Sequence, residues 1–92
     1  MSHDGVFKAL ADPTRREILE LLARADLTAG EIAERFPIAF ASVSRHLGVL
    51  KDAGLVASER EGQFIRYRLN TTVYQDAVRY LMNVVKGGRR RA

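Results

Sequence analysis

Cysteine is missing from this chain altogether, which excludes disulfides and every metal centre held by thiolates. Histidine is scarce: His3 and His46 lie far apart, and neither has a second histidine at ligand spacing. Carboxylate metal sites are not excluded on that ground, but no metal and no cofactor are expected. Long apolar runs are absent too. Nothing approaches the roughly 18 consecutive apolar residues of a membrane span, and the opening MSHDGVFKAL carries acid where a secretion signal would carry base. A cytoplasmic chain without a membrane partner is the expectation.

What the chain does contain is arginine. Lys+Arg number 15 against 11 Asp+Glu, a net charge of +4. Only Lys8, Lys51 and Lys86 are lysines, so twelve of the fifteen basic residues are arginine. The planar guanidinium matches phosphate in a two-pronged way that an ammonium cannot, so a phosphate-bearing partner is favoured over an ordinary solvated basic surface. With 92 residues the chain makes one small domain that buries roughly 60–65% of its unfolded surface. A deep enclosed active site would be hard to house. We place that domain at 1–86 and expect the basic tail at 87–92 to be disordered.

The two prolines punctuate helices. Val6, Phe7 and Leu10 form a first short apolar stripe, which stops at ADPTRRE. There Asp12 can serve as N-cap and Pro13 as first helical residue, so a second helix opens at 13 with Ile18, Leu19 and Leu22 inward. Thr28 and Glu31 have capping-box spacing and open a third helix running through Phe36, with Ile32, Ala33 and Phe36 apolar and Pro37 ending it. Val43, Leu47 and Leu50 then make a narrow stripe on a fourth helix, at about 40 to 53, ended by Gly54 as a left-handed cap. Ser42 and Arg45 point away from that stripe, while Ser44 and His46 flank it.

From Leu55 the apolar period changes from 3.6 to 2. LVASER and FIRYRL flank EGQ, with Gly62 able to take the positive φ of a tight hairpin. Thr72 and Gln75 form another capping pair, opening a last helix to about Lys86. On that helix Tyr74, Val78 and Val85 widen the arc already made by Ala77, Tyr80, Leu81 and Val84 beyond the roughly 100° that one core requires. A second apolar neighbour is implied, most simply another copy of the chain.

The predicted fold is therefore mainly α with a small β-hairpin, in the order α-α-α-α-β-β-α: a homodimeric winged helix-turn-helix. Small Ala41 and Ser42 at the entering end of the fourth helix suit a major groove. Ser44 and Arg45 are candidates for phosphate or base edges, with Arg45 the better one for guanine. His46 is expected to reach a phosphate from the flank. Arg60 and Arg66 on the hairpin are candidates for neighbouring phosphates or a minor groove, although Arg66 and Arg68 equally suit pairing with Glu59 and Glu61.

Three stretches, FKALADPTRREILELLARADLTAGEIAERF, VSRHLGVLKDAGLV and REGQFIRYRLN, resemble the ArsR family of winged-helix transcriptional repressors, from about Val6 to Val85. The resemblance implies a bacterial repressor that binds double-stranded operator DNA, with Ser42, Ser44, Arg45 and His46 at recognition-helix positions. It also implies a dimer joined through the first and last helices, which puts Val6, Phe7, Leu10, Tyr74, Val78, Tyr80, Leu81, Val84 and Val85 at the seam. The cysteine pair of arsenic- and cadmium-sensing members is missing from TAGEIAERF, and the acid and histidine ligands of zinc-sensing members are missing from TTVYQDAVRYLMNVV. Through DLTAGEIAE and LNTTV the chain is most similar to the metal-independent, SdpR-like autorepressor subgroup. Ala39, Phe40 and Ala41 depart from the usual turn, and Phe40 suits either a thymine methyl or packing.

Other readings have less behind them. Ser42 and His46 are four apart on one helix, but a nucleophile and base also need an orienting acid and oxyanion donors, which nothing nearby supplies, so no enzyme is expected. A protein-interaction module would present an apolar patch on the fourth helix rather than serine and arginine. An ArsR-type sensor with a non-cysteine ligand stays open, and the inducer, if there is one, is not legible.

Overall fold

Caps and apolar stripes set where the elements begin. The computed structural model describes residues 3–91, with side chains described to residue 87. Five helices and three strands follow in order: α1 (Asp4–Leu10), α2 (Pro13–Leu22), β1 (Leu27–Thr28), α3 (Ala29–Ala33), α4 (Phe40–Asp52), β2 (Val56–Glu61), β3 (Phe64–Leu69) and α5 (Thr71–Arg91). Asp12 caps α2, its Oδ1 accepting the Arg15 amide at 3.0 Å. At α3 the Thr28 hydroxyl accepts the Glu31 amide at 3.2 Å while the Glu31 carboxylate accepts the Thr28 amide at 2.8 Å. This reciprocal pair is the expected capping box.

Both predicted glycine turns are present. Gly54 has φ 79°, and the amides of Gly54 and Leu55 donate to the carbonyls of Lys51 and Leu50, the Schellman pattern that satisfies the last turn of α4. Gly62, at φ 63°, sits between Glu61 and Phe64, which face each other across the hairpin. Being first of the two loop residues and the one with positive φ, it matches the type II′ preference.

The sheet holds one strand more than expected. β1 pairs antiparallel with β3, Leu27 opposite Tyr67 and Thr28 opposite Arg66, giving the order β1-β3-β2. Two residues are too short to show a period, so this strand is created by the edge that β3 offers. α3 ends at Ala33 rather than Phe36; Phe36 still packs against the core from the turn that follows. α5 opens at Thr71 and continues to Arg91. Thr72 therefore lies inside the helix, with Asn70 at the capping position. Glycine weakens a helix by about 1 kcal/mol without forbidding it, so Gly87 does not end the helix near Lys86. The tail side chains from 88, and Ala92, lie outside the described residues.

The core gathers Ile18, Leu19 and Leu22 from α2, Ile32 from α3, and Val43, Leu47 and Leu50 from α4, closed by Leu55 and Val56. α1 adds Val6 and Ala9, and α5 adds Ala77. From Val78 through Gly87 every residue of α5 is exposed, so the helix leaves the core after two turns and stretches the molecule to 54 × 24 × 22 Å.

The backbone N–H of Arg15 holds the Asp12 carboxyl below its usual range, and that of Thr28 does the same for Glu31. The unfolded chain therefore takes up these two protons at higher pH than the folded chain. The stability they contribute is complete above the usual carboxylate values, about pH 5, and is lost as pH falls through the lower folded-state values. Melting followed by circular dichroism should show Tm falling between about pH 5 and pH 3, less steeply in Asp12→Asn. An identical slope in that variant would contradict the assignment to the cap.

Candidate nucleic-acid interface

Burial of Val43, Leu47 and Leu50, each at most 1% exposed, fixes the rotation of α4 about its own axis. The opposite face then has to be outward. Phe40, Ala41, Ser44, Arg45 and Gly48 are exposed there, and Ser42 is half-buried. Ala39 stands at the N-cap without a side-chain hydrogen bond, and serves the first turn only through its carbonyl, which accepts the Ser42 amide at 3.0 Å. Small side chains, a hydroxyl and a cation thus share one open helical surface.

The arginines divide by what they already hold. Arg45 has no ion pair or hydrogen bond with any described residue, leaving its guanidinium available. Among the described residues Arg60, near the tip of the β2–β3 hairpin, makes only a long 3.5 Å bond to the Gly62 carbonyl. Arg66 is committed: its Nε lies 2.9 Å from Glu61 Oε1, and Nη1 reaches the Asp26 carbonyl at 3.4 Å. The bond to Glu61 raises its pKa further above the ordinary value. Arg68 approaches Glu59 at 3.9 Å. Of the two hairpin arginines expected at DNA, Arg60 keeps its charge free, and Arg66 must share it with Glu61.

His46 departs from its expected place on the flank. It is 6% exposed, with Nδ1 3.3 Å from Arg15 Nη1. The same guanidinium donates from Nε to the Ala9 carbonyl at 2.8 Å and from Nη2 to the Lys8 carbonyl at 3.1 Å. Arg16 adds a bond to the Leu10 carbonyl at 2.8 Å. Two arginines therefore satisfy the last carbonyls of α1, and one of them also ties α1 to α4 through the imidazole. With Arg15 donating, Nδ1 accepts, which puts the ring proton of the neutral form on Nε2. The physical reason is the helical period: residue 46 precedes Leu47 and follows Val43 by three, which places it on the buried side of α4.

At the other end of the molecule, Val78, Tyr80, Leu81, Val84 and Val85 are exposed on α5. Met82, absent from the sequence-based set, is 50% exposed beside them. Phe7 belongs to an aromatic cluster in which His3 stacks on Tyr80 at 4.8 Å and Phe7 lies 6.1 Å from Tyr80. Three other residues assigned to the seam have packing within the chain. Val6 is buried in the core, and Leu10 and Tyr74 lie half-buried against it. Burial pushes the Tyr74 hydroxyl up to about 12.

An open helix following a short helix and a turn, with a three-stranded sheet whose hairpin projects beside it, defines a winged helix-turn-helix. A family profile described as a helix-turn-helix domain matches residues 10–59. The chain is 52% identical over 85 residues to the transcriptional repressor SdpR of Bacillus subtilis (strain 168), covering 92% of this chain and 94% of that one. Among solved structures, the ArsR family transcriptional regulator RHA00566 superposes with a TM-score of 0.89 at 29% identity, covering 94% of each chain. A homodimeric winged helix-turn-helix DNA-binding domain from Mycobacterium bovis, a possible ArsR-family regulator, superposes with a TM-score of 0.72 at 34% identity, covering 92% of this chain and 78% of that one. The chain belongs to the ArsR family of winged helix-turn-helix transcriptional regulators.

Arg15 and Arg45 should separate cleanly in urea unfolding. Arg15→Ala is expected to lower stability by about 2 kcal/mol, since it orphans the Ala9 carbonyl and a buried imidazole, whereas the Lys8 carbonyl keeps the Ala11 amide. Arg45→Ala should stay within about 0.5 kcal/mol of the parent. Equal midpoints for the two variants would refute the bracing role of Arg15.

Proposed function

We propose that this chain is a homodimeric, sequence-specific binder of double-stranded DNA that represses transcription in the bacterial cytoplasm. The observation that carries the reading is the outward face of α4, where Ser44 and the unpaired Arg45 stand exposed beside small Ala41. Arg45 is assigned to a base edge, guanine by preference, Ser44 to a base or phosphate, and Ser42 to the margin of the contact. Arg60 is assigned to phosphate near the minor groove, and Arg66 contributes there only what its bond to Glu61 leaves. Support for repression comes from the name of the B. subtilis relative, and support for pairing from the homodimeric M. bovis domain.

The dimer reading also has a physical basis in α5. A helical segment that leaves its core with Val78, Leu81, Val84 and Val85 about half exposed gains little from propensity alone, because isolated short helices are marginal in water. A two-fold copy would cover these side chains and the Phe7–Tyr80 cluster at once, and would turn both α4 helices to the same side. Their half-sites would then lie one helical turn, about 34–36 Å, or a multiple apart. Repression by occupancy of the operator needs no cofactor.

Two outcomes test this reading. Arg45→Ala is expected to weaken binding to a genomically selected fragment by about 1–3 kcal/mol and to relax base preference, with the loss read by anisotropy titration. Val84→Glu should shift the sedimenting species from dimer to monomer and abolish tight operator binding. A parent chain that sediments as a monomer at micromolar concentration while binding its operator fully would contradict the paired arrangement.

A further inference from the structure

Apart from the α5 surface, the large apolar side chains left exposed among the described residues are Ile38, Phe40, Phe64 and Ile65. Three of them, Phe40, Phe64 and Ile65, meet at one place. Phe40 is the first residue of α4 and Phe64 the first of β3. Together with Ile65 and Gln63 they line one cleft of ≈ 300 Å³, which passes Gly30 between the recognition helix and the hairpin tip. Phe40 is 56% exposed and Phe64 57% exposed, so neither ring is spent on the core. Neither lies on the α5 surface that a second copy would cover.

Two features of the cleft point to its occupant. Phe40 precedes Ser44 by one helical turn, so the two share a face, and the apolar strip continues the surface assigned above to base edges. No residue lining the cleft is charged, so a phosphate strand meets no carboxylate on its walls, while Arg60 stands one strand away at the same hairpin. DNA in turn offers apolar groups in two places: the C5 methyl of thymine in the major groove, and the minor-groove side, where apolar side chains insert in other proteins.

We propose that Phe40 and Phe64 grip one DNA strand from its two sides, Phe40 against a thymine methyl in the major groove and Phe64 against deoxyribose edges at the adjoining minor groove. The inference rests on the DNA-binding reading and adds to it a determinant that charge does not supply. Phe64 becomes a contact residue although it has no hydrogen-bonding group, and each half-site must contain a thymine opposite the first turn of α4. The neutral grip lies beside the cationic contacts, so it changes affinity without changing the number of counterions released.

The test is an anisotropy titration of the selected operator fragment at several salt concentrations, with each thymine replaced in turn by deoxyuridine. Folding of each variant is checked by its melting curve, and Phe64→Gln replaces Phe64→Ala if the latter melts early. For the parent chain, one replacement per half-site should weaken binding about fourfold, the worth of a methyl; Phe40→Ala should be blind to that replacement. Phe64→Ala should bind the unmodified fragment about tenfold more weakly, with the slope of log K against log salt unchanged. Arg60→Ala should reduce that slope by about 1. Binding by Phe64→Ala within twofold of the parent, or equal sensitivity of Phe40→Ala and parent to every deoxyuridine, overturns the grip and leaves the DNA-binding reading standing. A parent chain that binds no fragment overturns that reading and the grip with it.

Discussion

The stripe of Val43, Leu47 and Leu50 packed against Ile18, Ile32 and Leu55 is the constraint from which the rest follows. Each of these side chains is worth about 1.5–3 kcal/mol when taken from water, so α4 is held in one rotational setting. Turning it by a single residue, about 100°, would expose Leu47 and press a serine into the core. The serines and Arg45 are outward because the leucines are inward. The recognition surface is thus specified by apolar side chains that have no part in recognition.

A second layer of organisation lies in the arginines. Their excess suggests a phosphate partner, but several of the arginines that the structure describes are already engaged within the chain. Arg15 and Arg16 satisfy the end of α1, and Arg66 and Arg68 face glutamates across the hairpin. Of the uncommitted cations, the two placed on the surface assigned to DNA are Arg45 on α4 and Arg60 near the hairpin tip. Specificity in such a surface depends on a few uncommitted groups, supplemented by neutral side chains.

Much of this was legible in the sequence because it rests on local rules. Asp12 and Pro13, Thr28 and Glu31, Gly54 and Gly62 mark their turns through chemistry confined to a few residues, and the stripe on α4 follows from its period. The features that escaped are products of tertiary contact. β1 is two residues long and exists because β3 offers an edge. The wheel puts His46 at the flank of the apolar stripe, within reach of the core, and the side it settles on depends on Arg15, which supplies the hydrogen bond that lets the imidazole stay buried. The roles of Arg15 and Arg16 depend on carbonyls six or seven residues away on another helix, which no helical or strand period encodes. Met82 was omitted because it falls off the apolar arc, although the projecting end of α5 exposes it with its neighbours.

Because the chain has no cysteine, one introduced thiol can report on one place only. Ala41 is small, exposed and at the entering end of α4, so Ala41→Cys carrying an iron chelate brings a cleavage reagent to the surface held responsible for reading DNA. Two cleavage centres on one face of the operator, about 34–36 Å apart or a multiple of that, are the expected result. Cleavage no stronger than from the same reagent on Glu20→Cys, remote on α2, would contradict the claim that this helix faces the double helix.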